Sequence, residues 1–195
     1  EKSGQSGWSE AMFAKGILFE EWGLQKQAIA CYEALAASGY SSNPKLQLSL
    51  GRNFAILGEK TQAREMLEKI PEYSPDYVKA QILLAWLSED TNAKLDRLRQ
   101  VQARFPQDVT AAAEIMKTLL AENRADEAVS VFSAFLQGLD INQAPPEELR
   151  LPATQALVQA SDRPAAAAFS AEIAKQRSGQ RSGQQSGQWS GQRSW

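Results

Sequence analysis

Few side chains in this chain could do chemistry, and their spacing works against each candidate. Cys31 is the single thiol, so no disulfide can close within one chain. It stands in the run Ile29-Ala30-Cys31-Tyr32, an apolar helical register where a cysteine packs as a small hydrophobe. A nucleophilic thiol wants a base beside it, and the sequence contains no histidine. That absence also removes the commonest metal ligand and the commonest general base. Adjacent carboxylates at Glu20/Glu21 and Glu147/Glu148 could share acid–base work. Neighbours on a helix point in different directions, however, and no electrophile or metal partner accompanies them. Gly58-Glu59-Lys60-Thr61 has the outline of a phosphate loop, but that loop needs glycine directly before lysine and a strand before the turn. Zinc spacings, acyl-transfer sets and glycine-rich dinucleotide turns are absent. The expectation is therefore no catalysis, no cofactor and no metal.

The charge balance narrows the partners. A formal charge of −2 argues against bulk electrostatic capture of nucleic acid or anionic membrane. Arg177, Arg181 and Arg193 lie in a C-terminal stretch with no acid, so the remainder is more acidic than the total. No run of eighteen apolar residues is present, so no helix spans a membrane. Apolar residues at 43% and charged residues at 23% suffice for a core with a polar surface. What remains is recognition of another protein or peptide, with compartment and oligomeric state open.

The elements that would position such a surface are helices. Residues 10–176 carry helical periodicity, punctuated by Gly23 and Gly58 and by Pro44, Pro75, Pro106 and Pro152. Helices are expected at about 9–22, 25–38, 44–57, 60–70, 76–88, 92–104, 108–122, 125–138, 146–160 and 163–176. Residues 1–9 and 177–195 are rich in Ser, Gly and Gln and read as a flexible flank and a low-complexity tail. Trp8, Trp189 and Trp195 stand oddly in such sequence. Either they anchor onto a neighbouring copy or partner, or both flanks are foreign to the natural chain; the shared composition favours the second.

The punctuation recurs. Leu50-Gly51, Phe54, Gly58, Ala63, Leu67 and Pro75 have an upstream counterpart in Gly16, Phe19, Gly23, Ala28 and Tyr32. A downstream copy reads Ile115, Met116, Leu119, Asn123, Ala128 and Phe132, with asparagine at a turn position that wants positive φ. A small residue followed four positions later by a large apolar one forms a ladder: Ala28/Tyr32, Ala63/Leu67, Lys94/Leu98, Ala128/Phe132 and Ala165/Phe169. The rungs are spaced by 35, 31, 34 and 37 residues. Alanine lets the second helix of a pair approach the first, and the large residue fills the junction with the next pair. This pattern resembles the 34-residue tetratricopeptide (TPR) repeat, with Gln47 in place of its leading tryptophan. The resemblance implies an all-α, right-handed superhelical solenoid of about five helix-turn-helix pairs. Lys94 makes the third rung degenerate, and residues 90–100 the expected soft point.

The resemblance also implies where a partner lies: along the concave side, on the first helix of each pair. The family register places Phe13, Ile17, Lys45, Leu48, Arg52, Lys79, Ile82, Trp86, Lys117 and Arg150 on that wall. The apolar members would bury a partner's side chains and the basic ones pair its carboxylates. A shift of one register position would instead turn several of the apolar ones into core. Some members of the family clamp a chaperone's C-terminal carboxylate; Phe13, Ile17 and Ser49 stand where that clamp needs lysine and asparagine, so no clamp is expected. The expected function is a non-catalytic scaffold or adaptor holding a partner segment in the groove. The alternatives are a structural subunit of a larger complex, or the TPR segment of a larger enzyme or secretion component. The start at Glu1 rather than methionine keeps the last open.

Overall fold

The computed structural model describes residues 2–139 and 144–161 together with 164, 167 and 169, with side chains from Gly7 onward. The chain divides into two compact units, Glu1–Val101 and Gln102–Trp195. Nine α-helices, and no strand, occur among the described residues.

In the first unit, α1 (Lys2–Glu21) pairs with α2 (Gln25–Leu35), which runs on into a π-helical turn at Ala36–Tyr40. Next come the pair α3 (Pro44–Ile56) and α4 (Lys60–Glu68), then α5 (Tyr77–Trp86) and α6 (Thr91–Arg104). The second unit holds the pair α7 (Val109–Ala121) and α8 (Ala125–Gln137), with α9 (Glu147–Gln159) packed on both. The expected helix 163–176 and the expected tail lie outside the described residues, apart from helical positions 164, 167 and 169.

Helix ends follow local chemistry. Asn43 caps α3, its Oδ1 accepting from the Lys45 and Leu46 amides, with Pro44 at the first helical position. Asp108 caps α7 and Asp90 caps α6, each through one amide at 2.8 Å. Three pairs turn by the same device. Gly23, Gly58 and Asn123 take φ of 71°, 78° and 57°, and the following amide reaches back to the carbonyl of Phe19, Phe54 or Leu119. The third pair lacks this turn, and Ser88 stands where the others have glycine or asparagine.

The ladder is the core. Ala28, Tyr32, Ala63, Leu67, Leu98 and Ala128 have no solvent exposure, and Phe132 is buried. A Cβ built on Gly51 would lie 2.6 Å from Leu67 Cγ, and one on Gly16 would lie 2.6 Å from Tyr32 Cζ. Glycine in the first helix thus allows the approach that alanine allows in the second. Lys94 does not enter the third seam: its ammonium rests 4.1 Å from the centroid of the Trp86 ring. Of the fifth rung, Ala165 is outside the described residues, while Phe169 lies 5.6 Å from Phe132, centroid to centroid. Cys31 is a buried, unpaired cysteine.

Two expectations need correction. Helix α1 begins at Lys2, so residues 2–9 are helical although their composition suggested a flexible flank. Serine and glycine are weak helix formers, but extending a helix already anchored by Phe13 and Phe19 requires no new nucleus. Pro152, taken as punctuation, lies inside α9 with its ring buried. It stands one residue before the middle of α9, where the missing amide leaves the Glu148 carbonyl without its helical donor and weakens the helix locally.

Candidate functional site

The site begins with α1 and α3, the first helices of adjacent pairs. The start of α3, from Asn43 to Leu46, stands beside the middle of α1, with Lys45 over the Phe13 ring. Between the two helices opens a cleft of about 440 Å3. Phe13, Ala14 and Ile17 form one wall and Lys45 and Leu46 the other, with Leu35 and Tyr40 also lining it and Ser9, Glu10 and Asn43 at the polar margin. The Phe13 ring leans on Tyr32 at 5.3 Å, and the Lys45 ammonium lies 4.9 Å from its centroid. Ile17 keeps 36% of its surface in solvent. The cleft therefore offers an apolar floor under a movable cation.

Of the ten residues expected on the binding wall, Phe13, Ile17 and Lys45 meet in this cleft. Leu48 is half-buried against the core of the first unit, and Ile82 is buried outright. For Ile82 the register shift applies, and it holds helices together instead of facing a ligand. Trp86 is 58% exposed, one face covered by Lys94. The remaining basic residues mostly face acids of this chain. Arg52 is ion-paired with Glu20, Lys79 approaches Asp76 at 3.9 Å, and Lys117 meets Glu114 at 3.0 Å. Arg150 is exposed on α9.

Behind Arg52 lies a polar cluster that sequence reasoning missed. Glu20, largely buried, accepts from Arg52 and from the Asn53 amide, and Asn53 also donates to the Ser49 carbonyl at 2.8 Å. The buried Tyr32 hydroxyl faces the same group, and desolvation together with the Glu20 carboxylate drives its pKa well above the usual phenol range. Thirty-two residues separate Glu20 from Arg52, so no local spacing announces the pair. Tyr40 and Leu35 were missed for a related reason: they reach the cleft only because the helix end turns beneath it.

The second unit has its own opening between first helices. Lys117, Leu120 and Ala121 of α7 face Thr154, Gln155, Val158 and Gln159 of α9 across about 460 Å3. Its lining is more polar than that of the first cleft.

One regularity runs through both units. The large apolar side chains left in solvent are Trp8, Ile17, Leu18, Trp22, Leu24, Ile56, Tyr73, Trp86, Leu151 and Val158. All belong to first helices or connections; among the described residues none lies on α2, α4, α6 or α8. No helix among the described residues is long and apolar enough to cross a membrane.

Paired helices, the alanine ladder and the thrice-repeated turn together make this a TPR-like helical repeat protein. No protein-family model and no curated protein sequence matches the chain. Solved structures match its fold. PilF of Pseudomonas aeruginosa is similar at TM-score 0.59 and 17% identity, over 86% of this chain and 75% of that one. A putative kinesin light chain from Podospora anserina with nearly identical TPR-like repeats is similar at 0.58 and 16%, over 88% and 95%. YrrB, described as a TPR protein with an unusual peptide-binding site, is similar at 0.52 and 18%, over 81% and 80%.

Proposed function

We propose that the chain is a non-catalytic binding scaffold that holds a segment of a partner protein against its first helices, with the α1–α3 cleft as the principal anchor point. The observation that carries this reading is the open apolar cleft of the first unit, walled by Phe13, Ala14, Ile17 and Leu46, with Ile17 still 36% exposed. A contiguous apolar lining with a part-exposed isoleucine gains free energy when a partner's side chain covers it. A subunit packed permanently inside a complex through its second helices would instead expose apolar side chains on those helices. The TPR description of the YrrB and kinesin-light-chain structures supports the same class of role.

The wall's chemistry refines the partner. Arg52, Lys79 and Lys117 already face carboxylates of the chain, so a partner's acid gains little by displacing them. The anchor is then apolar, an aliphatic or aromatic side chain seated between Phe13 and Ile17, with Lys45 free to swing from the Phe13 ring toward a neighbouring acid. Peptide display against the full chain tests this. Selected peptides are expected to share an apolar anchor and to lose at least about tenfold in affinity against Ile17→Glu. Peptides that bind wild type, Ile17→Glu and Trp86→Ala equally would overturn the proposal.

A further inference from the structure

Helices α1 and α3 touch at two places that share one register. Lys45 lies over the Phe13 ring and Arg52 pairs with Glu20, and each contact joins residues 32 positions apart. Along either helix the two contacts are separated by about two turns, roughly 10 Å. The cleft fills only the first part of this seam. It ends at Ile17 on α1 and at Leu46 on α3, and Glu20, Ser49, Arg52 and Asn53 do not line it. The seam is thus open at the Phe13 end and tied at the Glu20 end.

The tie has the chemistry to hold a register. One carboxylate from α1, its side chain 13% exposed, accepts from two donors on α3, the Arg52 guanidinium and the Asn53 amide. Asn53 is fully buried, and its amide is fixed further by donating to the Ser49 carbonyl at 2.8 Å. Apolar contacts carry no direction, so a purely apolar seam tolerates sliding. Hydrogen bonds do not: a slip of one residue, about 1.5 Å, takes both donors out of range. Fixing register is the best-attested use of a buried polar group. Tyr32 connects the tie to the cleft. Its hydroxyl faces Glu20, while its ring supports the Phe13 ring at 5.3 Å, centroid to centroid.

We propose, resting on the reading of the cleft as the partner's anchor point, that Glu20 is the positioning residue of that cleft. It touches no partner itself. By holding α1 against α3 it keeps Phe13 and Ile17 opposite Lys45 and Leu46, so the apolar walls stand ready before a side chain enters. A site formed in advance binds without first ordering its own walls. Without the tie, α1 is free to slide on α3, and each binding event must restore the register.

Nuclear magnetic resonance of the full chain tests the proposal, because the Phe13 ring current moves the signals of the Lys45 methylenes above it upfield. Glu20→Ala should return those signals toward ordinary lysine values. It should also weaken the peptides selected on the wild-type chain at least about fivefold. Glu20→Gln keeps an acceptor for Asn53 and should rescue most of both effects. Arg52→Ala, on a half-exposed side chain, keeps the fold and should move the Lys45 signals in the same direction by less. Leu98→Ala is the control for lost stability alone: it opens a void in the third pair, and it should leave signals and affinity unchanged. Lys45 signals unmoved in both Glu20→Ala and Arg52→Ala, or moved equally by Leu98→Ala, would overturn the inference. If Ile17→Glu binds the same peptides as well as wild type, the cleft is not the anchor point, whereas the Lys45 signals still report on the tie.

Discussion

Replacing Gly51 with alanine sets two well-characterised effects against each other. Alanine is the better helix former by about 0.8–1.0 kcal/mol in a helix interior, which alone predicts a more stable protein. The new Cβ, however, would lie 2.6 and 2.7 Å from Leu67 Cγ and Cδ2 and 3.3 Å from the Ala63 carbonyl oxygen. Comfortable carbon–carbon contact needs roughly 3.5–4.0 Å, so the helices must separate or Leu67 must leave its rotamer. Leu67 has no exposed surface and nowhere to go. Overpacking of this kind costs about 1–3 kcal/mol, giving a net change between roughly zero and a loss of about 2 kcal/mol for Gly51→Ala. Leu67→Ala alone should cost about 2–5 kcal/mol by opening a void. In that background the same Gly51→Ala change should become neutral or stabilising, a coupling of about 1–3 kcal/mol. Urea unfolding of the four proteins, followed by circular dichroism at about 222 nm, measures the cycle, and amide exchange in α3 and α4 reads it locally. If Gly51→Ala stabilises the otherwise unchanged protein by the full propensity term, the seam is not close-packed and the ladder argument fails.

Other perturbations reach different parts of the first unit. Tyr32 holds its proton more tightly in the fold than its ordinary pKa of 10.0, so the stability it contributes is complete below that pH and falls as pH rises above it. Tyr32→Phe should accordingly lose less stability than wild type between about pH 9 and about pH 11, seen as a smaller fall in urea midpoint. Arg52→Ala should cost less than about 1 kcal/mol, because its side chain is half exposed, whereas Glu20→Ala should cost about 1–3 kcal/mol by removing an acceptor from buried Asn53. Equal costs in thermal or urea unfolding would contradict that asymmetry. Residues 90–100 should exchange amide hydrogens faster than α3 or α7, since the third pair lacks both the glycine turn and the alanine rung.

Much of the fold was legible because the signals are local. Gly23, Gly58 and Asn123 mark their turns since few residues tolerate positive φ, and all three adopt it. Small residues at Gly16, Ala28, Gly51 and Ala63 announce close approach, and each stands where helices touch. The candidate site was legible only in part. Phe13, Ile17 and Lys45 converge as their register implies, yet Ile82, at the equivalent register of a later pair, is buried. Helix α4 has only nine residues, and the ladder step from Ala63 to Lys94 is 31 residues where the preceding step is 35, so the register of the first two pairs does not carry over to the third.

By itself, the sequence determined most of the helical segments, three of their turns and which faces must nest, because φ preferences and side-chain volume act within a few residues. Only the tertiary structure decided that Glu20 takes Arg52, that Lys94 shelters Trp86 rather than splitting a seam, and that the end of α2 lines the cleft. Those outcomes depend on how far one helix is rotated and displaced against another. A pattern that repeats every turn is nearly blind to such a shift, while a salt bridge or a pocket wall is made or lost by it.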